Sequence, residues 1–144
     1  MTLLRCLLFT VFLAPGAERQ RVEFTKDPLT TVSKNVAEEK AVLVDVRSKE
    51  EWEAGHIEGA IFLPVDSLRK HSFNEKKIGK TLPDKKEKKI LYAYCVVGMR
   101  AKAAAAILQQ LGYEVRALKP GYDELLKAGF EQDDVQNGED EDSR

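Results

Sequence analysis

The chain has 144 residues, which corresponds to a single domain at about 100–200 residues per domain. Lysine and arginine number 23 against 24 acidic residues, so the net charge of -1 gives no general attraction to nucleic acid. The two cysteines, Cys6 and Cys95, are too few for a disulfide scaffold and lack the Cys/His clusters of a zinc site.

The first 17 residues differ in composition from the rest of the chain. Arg5 is their only charged residue, residues 7–13 are almost entirely apolar, and small residues follow at 14–17. This pattern is typical of a secretory signal peptide, and its apolar run is too short to span a bilayer. We expect cleavage of residues 1–17, which removes Cys6, and export to the periplasm without stable membrane insertion. The alternatives are a buried first helix in a cytoplasmic protein and an artefact of the choice of gene start.

From residue 21 onward, extended and helical patterns alternate. Extended segments are predicted at residues 22–24, 41–46, 60–63, 90–94 and 114–118, and helices at residues 30–39, 49–54, 100–111 and 123–127. A polar stretch to residue 88 carries no assigned element. The alternation predicts an α/β domain over residues 21–130, with three α/β/α layers and a mostly parallel sheet of about five strands. Acidic residues dominate 131–144, which predicts a disordered, solvated tail.

The strongest functional signal follows the predicted strand 90–94. Cys95 comes directly after this strand, and Arg100 opens the next helix. The loop between them consists of Val96, Val97, Gly98 and Met99. Ligands of parallel sheets bind at the carboxyl ends of strands, where helix amino termini also lie. Loop N–H groups, the helix dipole and the Arg100 guanidinium favour an anion, and Gly98 can adopt positive φ, so Cys95 is a candidate thiolate nucleophile. The alternative is an inert buried cysteine.

Several motifs accompany this loop. They are Val44-Asp45-Val46-Arg47, Glu51-Trp52, Gly55-His56-Ile57-Glu58-Gly59-Ala60 and Pro64. With the cysteine loop they resemble the single-domain rhodaneses, sulfurtransferases that carry sulfur as a cysteine persulfide. The match covers residues 22–130 and implies a rhodanese-like fold.

The resemblance implies that Cys95 is the nucleophile and that the backbone amides of residues 96–100 cradle its persulfide. Arg100 would hold the loop and attract an anionic donor. A donor such as thiosulfate would give its sulfur to Cys95, and cyanide or a thiol would take it. The reaction needs no metal or organic cofactor. We expect a monomer with small-molecule partners, or with a protein as sulfur acceptor, and no nucleic acid.

The resemblance gives supporting roles to three further residues. Asp45 would steady the loop from the neighbouring strand end, and Arg47 and His56 would be structural. Trp52 is most simply a core residue, and His71, in a polar stretch, is most simply solvated.

Departures from the family pattern bear on the substrate. Val96 and Val97 stand where many thiosulfate-using members have basic or polar side chains, so thiosulfate is expected to be a poor donor. The same apolar loop keeps open a non-catalytic protein-binding or sulfur-relay module. Phe62 replaces a frequent polar residue. Pro120-Gly121 replaces a Gly-Gly pair, with no expected effect on the chemistry.

Two further patterns bear on the reaction. The rhodanese-like phosphatases have one more residue between cysteine and arginine than this chain, which disfavours the alternative of a phosphatase or arsenate reductase. Seven lysines precede the loop: Lys76, Lys77, Lys80, Lys85, Lys86, Lys88 and Lys89. Such a run is more often a solvated face than a device that steers anionic substrates.

Overall fold

The structure, a computed structural model, describes residues 21–70 and 75–133. The predicted signal peptide, His71 and residues 134–144 of the predicted tail lie outside the described residues, so cleavage and export stay predictions. Within the described ranges, no helix is both long and apolar enough to cross a membrane.

Six strands and six helices make up the described part of the chain. The strands are β1 (Ala41–Asp45), β2 (His56–Ile57), β3 (Ile61–Phe62), β4 (Ile90–Tyr94), β5 (Val115–Ala117) and β6 (Gln132–Asp133). The helices are α1 (Leu29–Ala37), α2 (Lys49–Glu53), α3 (Val65–Arg69), α4 (Glu75–Thr81), α5 (Met99–Gln110) and α6 (Tyr122–Lys127), with a 3-10 turn at Lys85–Glu87.

The central sheet is parallel, in the order β3-β1-β4-β5. Ala41 lies opposite Ile90 and Asp45 opposite Tyr94, so β1 and β4 end at the same edge. Four strands form this sheet rather than the expected five, because the segment around Phe24 makes only an isolated parallel bridge to Ala117.

Helices cover both faces of the sheet, which confirms the three-layer α/β/α prediction. One core contains Val44 and Leu91 together with buried residues of α3, α4 and α5, and the other contains Leu43 and Tyr92 with Val32 of α1 and Leu125 of α6. On the first face α5 presents small residues, so that it can pack close to the sheet. These are Ala101, Ala104 and Ala105, each fully buried.

The polar stretch to residue 88 is more structured than its sequence predicts. It contains α3, α4 and the 3-10 turn. The two helices bury only Val65 and Leu68 in α3 and Ile78 in α4. So few apolar positions leave little periodicity to detect, and such short helices depend on tertiary packing.

A short strand, β6, follows the predicted domain end at residue 130. Gln132–Asp133 pairs antiparallel with His56–Ile57, and Glu58 N donates to the Glu131 carbonyl over 2.9 Å. Exposed, acidic sequence gives no hydrophobic signal for such a short strand, whose stability comes from backbone pairing with β2.

Asp27, just before α1, joins the amino-terminal segment to two central strands. Its carboxylate accepts hydrogen bonds of 2.7 Å from the Tyr92 hydroxyl and of 2.7 Å from Arg116. Asn35 of α1 donates to the same hydroxyl over 3.1 Å. The bond from Tyr92 and that from Arg116 lower the pKa of Asp27.

Replacement of the Asp27 carboxylate tests its hydrogen bonds with Tyr92 and Arg116. We expect Asp27→Asn to lower the free energy of unfolding at pH 7 by about 1–2 kcal/mol. Because the folded state lowers the pKa of Asp27 from 3.8, its contribution is present above that pH and is lost as the pH falls below it. Urea unfolding at pH 7 and pH 3 measures both effects. The exposed Asp123→Asn should change stability by less than about 0.5 kcal/mol. An equal loss in both variants would contradict the role of Asp27.

Candidate active site

Cys95 lies directly after β4 at the carboxyl edge of the sheet, where its side chain is 1% exposed. The chain then curls back so that Gly98 N donates to the Cys95 sulfur over 3.1 Å. The 12-residue helix α5 begins at the next residue. The sulfur therefore lies at a helix amino terminus, a position where backbone N–H groups and the helix dipole favour a bound anion.

The loop can close this way because residue 98 is glycine. Gly98 has φ +84, as the sequence predicted, in the left-handed region that disfavours other residues. A Cβ atom there would lie 2.5 Å from the Phe24 ring and 3.0 Å from the Leu118 carbonyl oxygen. The amino-terminal segment and the end of β5 therefore close the back of the loop.

Arg100 is held by a carboxylate from α2. Its two terminal nitrogens donate to the two oxygens of Glu51 over 2.6 and 2.8 Å. This bidentate bond lowers the pKa of Glu51 to about 2. The Glu51 carboxylate raises the pKa of Arg100, and the Cys95 sulfur adds to the rise. The Arg100 guanidinium therefore lies beside the Cys95 sulfur while its own positive charge is paired with the Glu51 carboxylate.

The role of Glu51 is absent from the sequence prediction, although a local signal exists. Ser48 and Glu51 form a capping box at the start of α2, in which Ser48 N donates to the Glu51 carboxylate over 2.9 Å. The spacing of serine and glutamate is a recognisable helix-start signature. It orients Glu51 towards the loop, but the pairing with Arg100 depends on the fold.

A buried ion pair lies below the loop. The Arg47 guanidinium donates to Asp45 over 2.7 and 3.0 Å and to the Gly55 carbonyl over 2.7 Å, and both charged side chains are almost fully buried. The Tyr94 hydroxyl donates to Asp45 over 2.7 Å. Burial and the Asp45 carboxylate raise the pKa of Tyr94, which keeps this hydroxyl protonated. Asp45 therefore acts on the loop through Tyr94, the residue before Cys95.

The turn at Pro120-Gly121 touches the backbone of the site loop, a contact that the sequence analysis did not predict. Tyr122 N donates to the Cys95 carbonyl over 2.9 Å. A Cβ atom at Gly121 would lie 1.8 Å from the Val96 carbonyl oxygen. The Arg47 guanidinium lies over the Tyr122 ring at 4.1 Å. This contact is invisible in sequence because residues 97–120, which include α5 and β5, separate Val96 from Gly121.

His56 and Trp52 form a packed unit beside the site. Their rings stack with centroids 3.4 Å apart, and Phe62 lies 5.0 Å from the Trp52 ring. His56 Nδ1 donates to the Trp52 carbonyl over 3.1 Å, and its Nε2 lies 3.4 Å from an oxygen of Asp133. These contacts give His56 and Trp52 structural positions, with Trp52 half-buried rather than fully in the core.

The lysine-rich stretch lies at the other end of the sheet. Lys85, Lys88 and Lys89 line a cavity of about 160 Å³ beside Leu91, near the start of β4. The length of β4, about 13 Å from Ile90 to Tyr94 at about 3.3 Å per residue, separates them from Cys95. This position favours the interpretation of the lysines as a solvated face over a role in steering anionic substrates towards the sulfur. Within residues 21–70 and 75–133, no group of three or more metal-ligating side chains occurs.

Comparisons with known proteins agree with this geometry. A family model described as a rhodanese-like domain matches residues 29–128. Among solved structures, a Bacillus halodurans protein is 28% identical, with a TM-score of 0.58 and 73% of each chain covered. The human single-domain sulfurtransferase TSTD1 is 26% identical, with a TM-score of 0.50, covering 69% of this chain and 92% of that one.

Curated relatives are much longer proteins. A probable molybdopterin-synthase adenylyltransferase of Porphyra purpurea is 30% identical over 82 residues, 57% of this chain and 19% of that protein. A tRNA uridine(34) hydroxylase of Enterobacter sp. (strain 638) is 32% identical over 93 residues, 64% of this chain and 26% of that protein. The chain thus spans about a fifth to a quarter of these two relatives.

Two glycine substitutions test the close approach behind the loop. We expect Gly121→Ala to displace the Val96 carbonyl, to lower stability by about 2–4 kcal/mol and to change the alkylation rate of Cys95. In the matched control Gly79→Ala, the new Cβ would meet only the Tyr113 hydroxyl at an ordinary 3.8 Å. That helix substitution should be neutral or stabilise by up to about 1 kcal/mol. Thermal unfolding and iodoacetamide kinetics measure these effects, and equal results for both variants would refute the assignment.

A second substitution tests the pairing of Arg100. We expect Glu51→Gln to lower the free energy of unfolding at pH 7 by about 1–2 kcal/mol. Because the folded state lowers the pKa of Glu51 from 4.5 to about 2, the difference from wild type should persist above pH 4.5 and vanish towards pH 2. The control is Glu53→Gln, whose exposed carboxylate pairs with Lys49 at 3.3 Å and should contribute less than about 0.5 kcal/mol. Urea titrations across this pH range distinguish the two.

Proposed function

The chain belongs to the rhodanese-like domain family, and from this premise we propose that it is a sulfurtransferase that carries a sulfane sulfur as a persulfide on Cys95. The observation that supports this most directly is the bond from Gly98 N to the Cys95 sulfur at the start of α5. A loop with N–H groups, a helix dipole and Arg100 at its edge stabilises a thiolate and the anionic outer sulfur of a persulfide.

The reaction proceeds by two displacements at sulfur. The Cys95 thiolate attacks the sulfane sulfur of a donor such as thiosulfate, the donor S–S bond breaks, and sulfite leaves with the bonding electrons. An acceptor then attacks the outer sulfur of the persulfide and releases Cys95 as a thiolate. Cyanide is thereby converted to thiocyanate, and a thiol acceptor is converted to its persulfide. Neither step needs a metal or an organic cofactor.

The charges at the loop bear on the choice of donor. Arg100 is already bonded to both oxygens of Glu51, and the loop side chains Val96, Val97 and Met99 are apolar. A small dianion such as thiosulfate therefore gains less from this loop than from one with a basic side chain. We expect thiosulfate to load Cys95 slowly compared with a polysulfide of lower charge density.

The spacing of the loop argues against phosphoryl chemistry. Four residues separate Cys95 from Arg100, and Glu51 occupies the fork of the guanidinium that a phosphate would need. A non-catalytic module remains the alternative to an enzyme. Such a module would form the Cys95 persulfide without passing the sulfur on, or would form no persulfide at all.

Intact mass spectrometry tests the proposed carrier. The purified full chain, treated with thiosulfate or polysulfide, should gain about 32 Da on Cys95, and a reductant should remove this mass. Cys95→Ser should gain nothing while its circular dichroism stays native. The matched Cys6→Ser should gain the mass as wild type does, because the proposed sulfur carrier is Cys95. A gain in Cys95→Ser, or none in wild type with a reactive Cys95 thiol, would refute the proposal.

A further inference from the structure

The large hydrophobic side chains that are exposed cluster around the nucleophile. Within residues 21–70 and 75–133 they are Val96, Val97 and Met99, with exposed fractions of 47, 69 and 65%. Cys95 itself is 1% exposed. We name these three side chains the apolar collar. Single exposed apolar residues need no explanation, but a cluster confined to one reactive loop marks an interaction site.

A recess beside the loop continues this surface. It has a volume of about 290 Å³ and is lined by Val96, Val97, Lys119, Pro120 and Glu124. The Glu124 carboxylate is occupied because it accepts from Gly121 N at the start of α6. Lys119 is exposed, and among the described residues it forms no ion pair. The recess thus combines an apolar wall with an available ammonium group.

The collar and the recess select against small inorganic partners. A small thiol or cyanide can reach the persulfide, but it leaves the collar in contact with water. A larger molecule with an apolar side chain next to its thiol covers the collar and fills the recess, so its binding gains the hydrophobic contribution. A carboxylate on that molecule can pair with Lys119, which gives the partner a charge preference.

We propose that the sulfur acceptor of Cys95 is a protein that presents a surface thiol flanked by apolar side chains and by a carboxylate that meets Lys119. This inference rests on the proposed sulfur transfer. The partner thiolate attacks the outer persulfide sulfur, a new S–S bond forms on the partner, and the bond to Cys95 breaks. Cys95 leaves as the thiolate, and the partner carries the persulfide. The step consumes no oxidant or reductant.

Designed peptides serve as probes of this specificity. Each is an acetylated, amidated hexapeptide with a central cysteine. The first has leucine on both sides of the cysteine and a following aspartate, the second has serines in place of the leucines, and the third has lysine in place of the aspartate. Cys95 is loaded with polysulfide, and the rate constant of sulfur transfer to each peptide is followed by mass spectrometry. We expect the leucine–aspartate peptide to react about tenfold faster than either of the others.

Variants of the protein assign this preference to the surface. Val97→Ser with Met99→Ser should reduce the ratio of the rate constants for the leucine and serine peptides towards one. Lys119→Glu should reverse the preference for aspartate over lysine. Lys127→Glu, a charge-matched control at the far end of α6, should leave that preference as in wild type. Ratios are compared because the loop variants also change the basal rate.

The outcomes separate this inference from the proposed function. Loading of Cys95 followed by equal transfer to all peptides would overturn the protein partner and leave sulfur transfer intact. Absence of loading by any donor would overturn the proposed function itself. A dimer in sedimentation that dissociates in Val97→Ser would overturn the assignment by identifying a second copy as the occupant of the collar. Preferences that depend on the collar and on Lys119 support the inference.

Discussion

The parallel pairing of β1 and β4 sets the position of the Cys95 sulfur. It brings Asp45 opposite Tyr94 at the last residue of each strand, and the two side chains bond over 2.7 Å. Because Cys95 is the next residue, any shift of this register would move its sulfur away from the start of α5. The buried Arg47 compensates the Asp45 carboxylate and extends the contact to the Gly55 carbonyl. A buried charge of this kind persists only when its partner and hydrogen bonds are retained.

The backbone, rather than side chains, shapes the loop itself. Gly98 allows the turn that aims its N–H at the sulfur, and Gly121 allows the Val96 carbonyl to approach the start of α6. Tyr122 N then holds the Cys95 carbonyl. With the fold of the loop held by glycines and backbone bonds, the side chains of residues 96, 97 and 99 are free to face the solvent. Substrate preference can therefore vary without changing the chemistry of the sulfur.

Much of this arrangement could be predicted from sequence because its signals are local. The apolar run of β1, the strand before Cys95 and the alanine-rich helix after it each occupy one continuous segment. The same segments carry the family resemblance. The contacts of Glu51 with Arg100 and of Gly121 with Val96 could not be predicted, because they join segments that are distant in the chain. The antiparallel strand Gln132–Asp133 was missed because its residues are polar and exposed.

The two arginine–carboxylate pairs have different roles because they differ in burial. Arg47 is enclosed with Asp45 below the loop, where the pair maintains the strand ends. Arg100 is one-third exposed and meets Glu51 at the rim, where it borders the sulfur and the solvent. Because Glu51 already pairs with Arg100 at this rim, the proposed discrimination between partners would come from the apolar collar and Lys119 rather than from Arg100. Under the proposed function, such a site would distinguish molecules by the apolar and charged groups around their reactive sulfur.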